Sequence, residues 1–225
     1  MILFGLAALL YLLSSRFLSA DIDVYFSLTI LAVVLCWMAA FLMIYGDRAF
    51  RQAAFPVLLL ILMVPLPGSV LQMIIHALQQ WSADLSYVFF SMAGVPVFRD
   101  GFFFTLPGLT IEVAEQCSGI RSSTALVIVV LLIGQLWLRF SYSKLILLAI
   151  ILPILIFKNA VRIVTLSLLS VYVSRDFLDG PLHHSGGVVF FLLGLLMLAP
   201  AVRLLEISEN RRLIAVSAVE GKAGS

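Results

Sequence analysis

Leu145-Ile-Leu-Leu-Ala-Ile-Ile-Leu-Pro-Ile-Leu-Ile-Phe-Lys-Asn-Ala-Val-Arg-Ile-Val-Thr-Leu-Ser-Leu-Leu-Ser-Val-Tyr-Val173 is an apolar run in which Lys158, Asn159 and Arg162 are the strongly polar residues. It exceeds the roughly 20 residues needed to cross a hydrocarbon core. It therefore reads as a transmembrane helix carrying three polar side chains within it. The rest of the chain agrees: 63% of its 225 residues are hydrophobic, 12% are charged, and the mean hydropathy is +1.15. A soluble domain is about half apolar and about a quarter charged, so most of this surface must face lipid. A net charge of +2 gives no reason to expect nucleic acid as a partner. Two cysteines, Cys36 and Cys117, are too few for a disulfide framework or a metal site.

Further apolar stretches run from about Ile2 to Ser19, Tyr25 to Tyr45, Ala53 to Val70, Gly119 to Trp137 and Gly187 to Val202, giving about six crossings with the one above. The first lacks a basic leader and reads as a retained span. Leu71 to Ala93 is interrupted by Gln72, His76, Gln79, Gln80 and Asp84, a pattern that suits an amphipathic helix at the outer interface or a re-entrant one. Pro65 and Pro67 mark where the preceding span ends. Between Val95 and Glu115, the turn dipeptides Asp100-Gly101 and Pro107-Gly108 separate aromatic and β-branched runs, as in a small β-hairpin or meander. The expected fold is an all-α polytopic membrane protein with a non-spanning helix and a small extracytoplasmic β-hairpin. Residues 1–208 form one integral-membrane domain, and 209–225 form a polar cytoplasmic tail.

Basic residues collect in cytoplasmic loops. Arg48, Arg51, Arg139, Lys144, Arg203, Arg211, Arg212 and Lys222 fall on one side of this arrangement. The other side holds Arg99 and Arg175 against Asp21, Asp23, Asp100, Glu112, Glu115, Asp176 and Asp179, with Arg16 near it. The first side is therefore inside and the Arg99 to Gln116 loop outside.

Helical counting then brings several reactive groups to one depth. Cys117 lies 22 positions before Arg139, Arg162 lies 18 after Lys144, and His183 lies 20 before Arg203. At 1.5 Å per residue these are roughly 33, 27 and 30 Å, which is the outer face of a core about 30 Å thick. A thiol, a guanidinium and an imidazole at one level can carry out covalent acyl transfer. Cys117 sits where a loop enters a helix, and Arg121 at i+4 adds a cation on the same side; both favour a thiolate. Alone, such a cysteine reads as a small packing residue, as Cys36 does. Lys158, one turn from Arg162, argues against both cations facing lipid, so Arg162 is expected to face the interior. Asn159 can hydrogen-bond on that face or serve as a helix-helix polar contact. His183 and His184 read equally as interfacial loop residues, and Ser185-Gly186-Gly187 allows close approach at the following helix start.

Ala114-Glu-Gln-Cys-Ser-Gly-Ile-Arg-Ser122, Asn159-Ala-Val-Arg162 and His183 four residues before Gly187, with Phe191 beyond, together resemble the exosortase/archaeosortase family. Phe55-Pro, Val64-Pro-Leu-Pro67, Gly94-Val-Pro-Val-Phe-Arg-Asp-Gly101 and Leu106-Pro are similar to it as well, so the resemblance covers about residues 50 to 200. It implies a membrane cysteine peptidase or transpeptidase that processes the C-terminal sorting signals of exported proteins. In bacteria this is the PEP-CTERM tail: a Pro-containing motif, a hydrophobic helix and a basic end. It further implies Cys117 as the nucleophile forming an acyl-thioester, with Arg162 and His183 as its catalytic partners. Arg121, Asn159 and His184 are supporting residues, and the spacing to Gly187 favours His183 over His184. No metal or organic cofactor is expected. The expected location is the bacterial cytoplasmic (inner) membrane, with the site at its extracytoplasmic face. The competing reading is a non-catalytic scaffold or transport subunit of an envelope or exopolysaccharide assembly, in which the polar residues serve helix packing.

Overall fold

The computed structural model describes residues 2–18, 21–113, 119–173 and 187–223, with the side chains of Ile2, Arg121 and residues 215–223 outside that description. The chain gathers into two compact units, Met1–Ile74 and Ile75–Ser225.

In the first unit, α1 (Ile2–Ser14) is followed by α2 (Ile22–Gln52). α1 is shorter than a full crossing. Ser14 and Ser15 donate to the Tyr11 and Leu12 carbonyls at its end, and the chain then turns through Phe17. Asp21 caps α2, its Oδ1 accepting from the Asp23 and Val24 amides at 3.0 and 3.1 Å. Gly46 (φ 79°) bends α2. Val34 and Met38 pack with Val57 of α3 (Ala54–Leu59).

The expected span from Ala53 to Val70 is not one helix. α3 passes into a 3-10 turn, Leu60–Met63, and Val64 is then extended (φ −73°, ψ 118°), the conformation that a following proline imposes. Helix resumes as α4 (Gly68–Met92), after a turn of 94° between Ala54–Met63 and Gly68–Met92. The break predicted from Pro65 and Pro67 is present.

In the second unit, α4 runs into an antiparallel meander of β1 (Phe98–Asp100), β2 (Phe103–Leu106) and β3 (Leu109–Glu112). Its turns fall at the two predicted dipeptides, with Gly101 at φ 58° and Gly108 at φ 75°. Then come α5 (Ile120–Trp137), α6 (Ser141–Tyr172) and α7 (Gly187–Ala223). α6 is central. At one end Ile163 and Val164 join Ala83 and Phe90 of α4 and Phe104, Leu106 and Ile111 of the sheet. At the other, Leu147, Ile151 and Leu155 pack with Leu126 and Val130 of α5 and Leu198 and Val202 of α7.

The protein is thus a mostly helical, multi-pass membrane protein with a small sheet. Among the described residues, three helices are long and apolar enough to cross a bilayer, namely Ile22–Gln52, Ser141–Tyr172 and Gly187–Ile214; the bent pair makes a fourth if it is one broken span. The expected figure of about six transmembrane helices is not confirmed among the described residues. Leu3–Phe17 and Ser122–Trp137 are apolar but shorter, the second ending where Leu138 turns extended (ψ 133°). α7 continues as helix past Ser208, where the sequence reading places a polar tail. There Glu209 is 2% exposed, and its two carboxylate oxygens accept from the Arg139 and Phe140 amides at 2.8 and 3.0 Å, fixing the α5–α6 turn.

Candidate active site

Of the residues singled out in the sequence, Cys117, His183 and His184 lie outside the described residues, as does the Arg121 side chain. Asn159 and Arg162 are described, and with Lys158 they form the polar stripe of α6. Asn159 and Lys158 are buried, at 2% and 1% exposure. Arg162 is half-buried, and its Nε is closed off from solvent.

The stripe faces two other helices. Asn159 Nδ2 donates to Ser82 Oγ of α4 at 3.1 Å, and Lys158 Nζ donates to Ser122 Oγ of α5 at 2.5 Å. Ser82 is one of a helical series on α4, with Ile75, Leu78, Gln79, Ala83, Ser86 and Phe90, whose spacing by threes and fours puts them on one buried face. Gln79 belongs to that face and not to the polar interruptions of an interfacial helix: it is 4% exposed and its Nε2 donates to the Val113 carbonyl at 2.9 Å. Gln80 and Asp84 stay exposed on the other side.

Val113 and Gly119, the described residues on either side of 114–118, are two anchors. On one side Val113, 2% exposed, has its carbonyl on Gln79 and its amide donating to Phe102 O at 2.9 Å. On the other, Gly119 caps α5 in the left-handed conformation (φ 70°, ψ 16°), and its carbonyl accepts from the Ser123 amide at 2.8 Å and from Ser122 Oγ at 3.0 Å. Glycine is required there twice. Other residues avoid this φ, and a Cβ at 119 would stand 2.9 Å from Asn159 Oδ1. Among the described residues, that Oδ1 is a buried acceptor without a hydrogen bond.

Sequence reasoning names Asn159 and Arg162 but misses Gln79, Ser82, Gly119 and Ser122, and treats Lys158 only as a neighbour of Arg162. The available signals are the i, i+3, i+7 spacing of Gln79, Ser82 and Ser86, and the position of Ser122 at the end of the Cys-Ser-Gly-Ile-Arg-Ser run. Chemically, the arrangement offers buried donors, one cationic, around Val113 and Gly119, inside apolar surroundings that strengthen each interaction.

No curated protein and no solved structure matches the chain. The model of the transmembrane exosortase family (Exosortase_EpsH) matches residues 1–200. That match takes in the meander, both anchors, the α6 stripe and the start of α7, and it shows that the chain belongs to the transmembrane exosortase family.

Proposed function

We propose that the protein is a membrane cysteine transpeptidase that cuts the C-terminal sorting signals of exported proteins through an acyl-thioester on Cys117. Family membership supports a membrane sorting transpeptidase role in general. The observation that supports the finer reading is the anchoring of Val113 and Gly119, four residues before and two after Cys117 in the chain, with Asn159 Oδ1 and Lys158 Nζ of the α6 stripe beside Gly119. Cys117 is two peptide units from Gly119, a reach of about 7 Å at full extension.

In this reading the Cys117 thiolate attacks the client's carbonyl carbon, forming a C–S bond. Arg162 holds the resulting oxyanion, a task suited to a planar, permanently charged donor. An arginine is too weak an acid to protonate the leaving group, so His183 gives its proton to the departing amine as the C–N bond breaks. An acceptor amine or water then passes a proton back to His183, attacks the thioester and releases the thiolate. The client class is an exported protein ending in a Pro-containing motif, a hydrophobic helix and a basic end. The split of basic residues between the loops favours a site at the extracytoplasmic face of the bacterial cytoplasmic membrane.

The test is to trap the intermediate. A co-expressed client carrying such a C-terminus, quenched rapidly in acid and denaturant, should run as a covalent adduct with the protein that neutral hydroxylamine dissolves. An adduct resistant to hydroxylamine, or one that forms equally with Cys117→Ala, overturns the acyl-thioester.

A further inference from the structure

Lys158 has no task in that mechanism, yet it is among the most completely enclosed side chains described. Its stem passes Gly194 of α7, where a Cβ would stand 3.3 Å from Lys158 Cδ and 3.0 Å from Leu126 Cδ2. Its ammonium ends 3.6 Å from where a Cβ would sit on Gly119. An ammonium inside a membrane helix is costly, and a methionine would fill the same channel without charge. Packing therefore accounts for the stem but not for the head.

The head starts a relay of fixed direction. An ammonium has hydrogens to give and no lone pair to receive, so Lys158 Nζ must donate to Ser122 Oγ. Ser122 must then turn its own hydrogen away, and it donates to the Gly119 carbonyl. The charge polarises the second bond through the first. The Gly119 carbonyl is thereby held by Ser122 Oγ as well as by the Ser123 amide.

We propose that Lys158 is a positioning residue for the nucleophile: through Ser122 it locks the backbone of Gly119, which follows Cys117 by two residues in the chain and caps α5. This rests on the reading of Cys117 as nucleophile. Its consequence is that thiol reactivity, and not merely folding, depends on the relay, because the α5 N-terminus favours a thiolate two residues upstream in the chain only while Gly119 between them is fixed.

The experiment measures alkylation of Cys117 by iodoacetamide in the full chain, in membranes, on a Cys36→Ser background. Lys158→Met keeps the stem and removes the donor; Ser122→Ala breaks the same relay from α5 and leaves the charge in place. Both should slow alkylation by about ten-fold, the scale of one charged hydrogen bond, and the double variant should be no slower than either alone. Ser122→Thr keeps the hydroxyl and should restore the rate. Client capture should persist while turnover falls, separating kcat from KM. Should Lys158→Met fail to accumulate, Ser122→Ala decides. Alkylation at the wild-type rate or faster in a folded relay variant overturns the proposal. If such a variant reacts normally while Cys117→Ala abolishes processing, the relay fails and the nucleophile stands; if Cys117→Ala processes clients, the underlying reading fails.

Discussion

Gly119→Ala is the substitution whose cost follows most directly from the geometry. The first contribution is conformational: Gly119 sits at φ 70°, and an L-residue in that region costs about 1–2 kcal/mol. The second is steric. The new methyl would lie 2.9 Å from Asn159 Oδ1 and 3.4 Å from its Cγ, so Asn159 must move and its bond to Ser82 Oγ is lost. Leaving a buried polar group unsatisfied costs about 1–3 kcal/mol. The sum is about 2–5 kcal/mol, a large share of the 5–15 kcal/mol typical of a folded protein. At about 2–4 °C per kcal/mol for a chain of this size, the melting midpoint should fall by about 4–20 °C. The assay is thermal unfolding of the purified protein in detergent, followed by size-exclusion recovery of the folded species. Gly5→Ala, whose Cβ meets nothing within 4 Å on α1, should leave the midpoint unchanged or raise it slightly. Adding Asn159→Ala to Gly119→Ala removes the steric part, so the pair should cost less than the sum of the two singles. A Gly119→Ala protein that melts with the wild type refutes the account of this anchor.

Two further outcomes follow from other parts of the chain. Glu209→Ala strips the acceptors from the Arg139 and Phe140 amides; it should destabilise by about 1–3 kcal/mol and speed amide exchange in that turn, while Glu209→Gln, keeping one oxygen, should cost less. For topology, a cysteine placed at Asp100 should react with an impermeant maleimide in intact cells, and one at the exposed Ser141 only after permeabilisation; the reverse pattern refutes the outer placement expected of Cys117, Arg162 and His183 from helical counting.

Much of this architecture is legible in the sequence because its signals are local. The meander follows from two turn dipeptides, and the α3–α4 break from two prolines that deny helix to the residue before them. What escapes is partnership at long range. Hydropathy records that Gln79 is polar but not whether it meets a headgroup or a carbonyl 34 positions away. Ser82 and Ser122 barely perturb an apolar run, so the partners of Asn159 and Lys158, 77 and 36 positions distant, leave no mark on it. Helical counting places Arg162 on a continuous α6, but the apolar run from Ile2 to Ser19 does not show that α1 ends at Ser14, where the Ser14 and Ser15 hydroxyls bond to the preceding turn. The helical course of α7 beyond Ser208 comes with tertiary bonds from Glu209 that no periodicity announces.

The most direct test of the central claim is client processing in a Cys117→Ala strain, read as the ratio of processed to unprocessed client on an immunoblot with the level of the membrane protein controlled. The account predicts normal accumulation of the variant, since a small residue replaces the thiol without new bulk, and no processed client. Cys117→Ser should be nearly as inactive, because a hydroxyl is a far weaker nucleophile without a strong base beside it, and His183→Ala should be more damaging than His184→Ala. Processing at the wild-type ratio in Cys117→Ala would contradict the account and leave the protein a membrane scaffold.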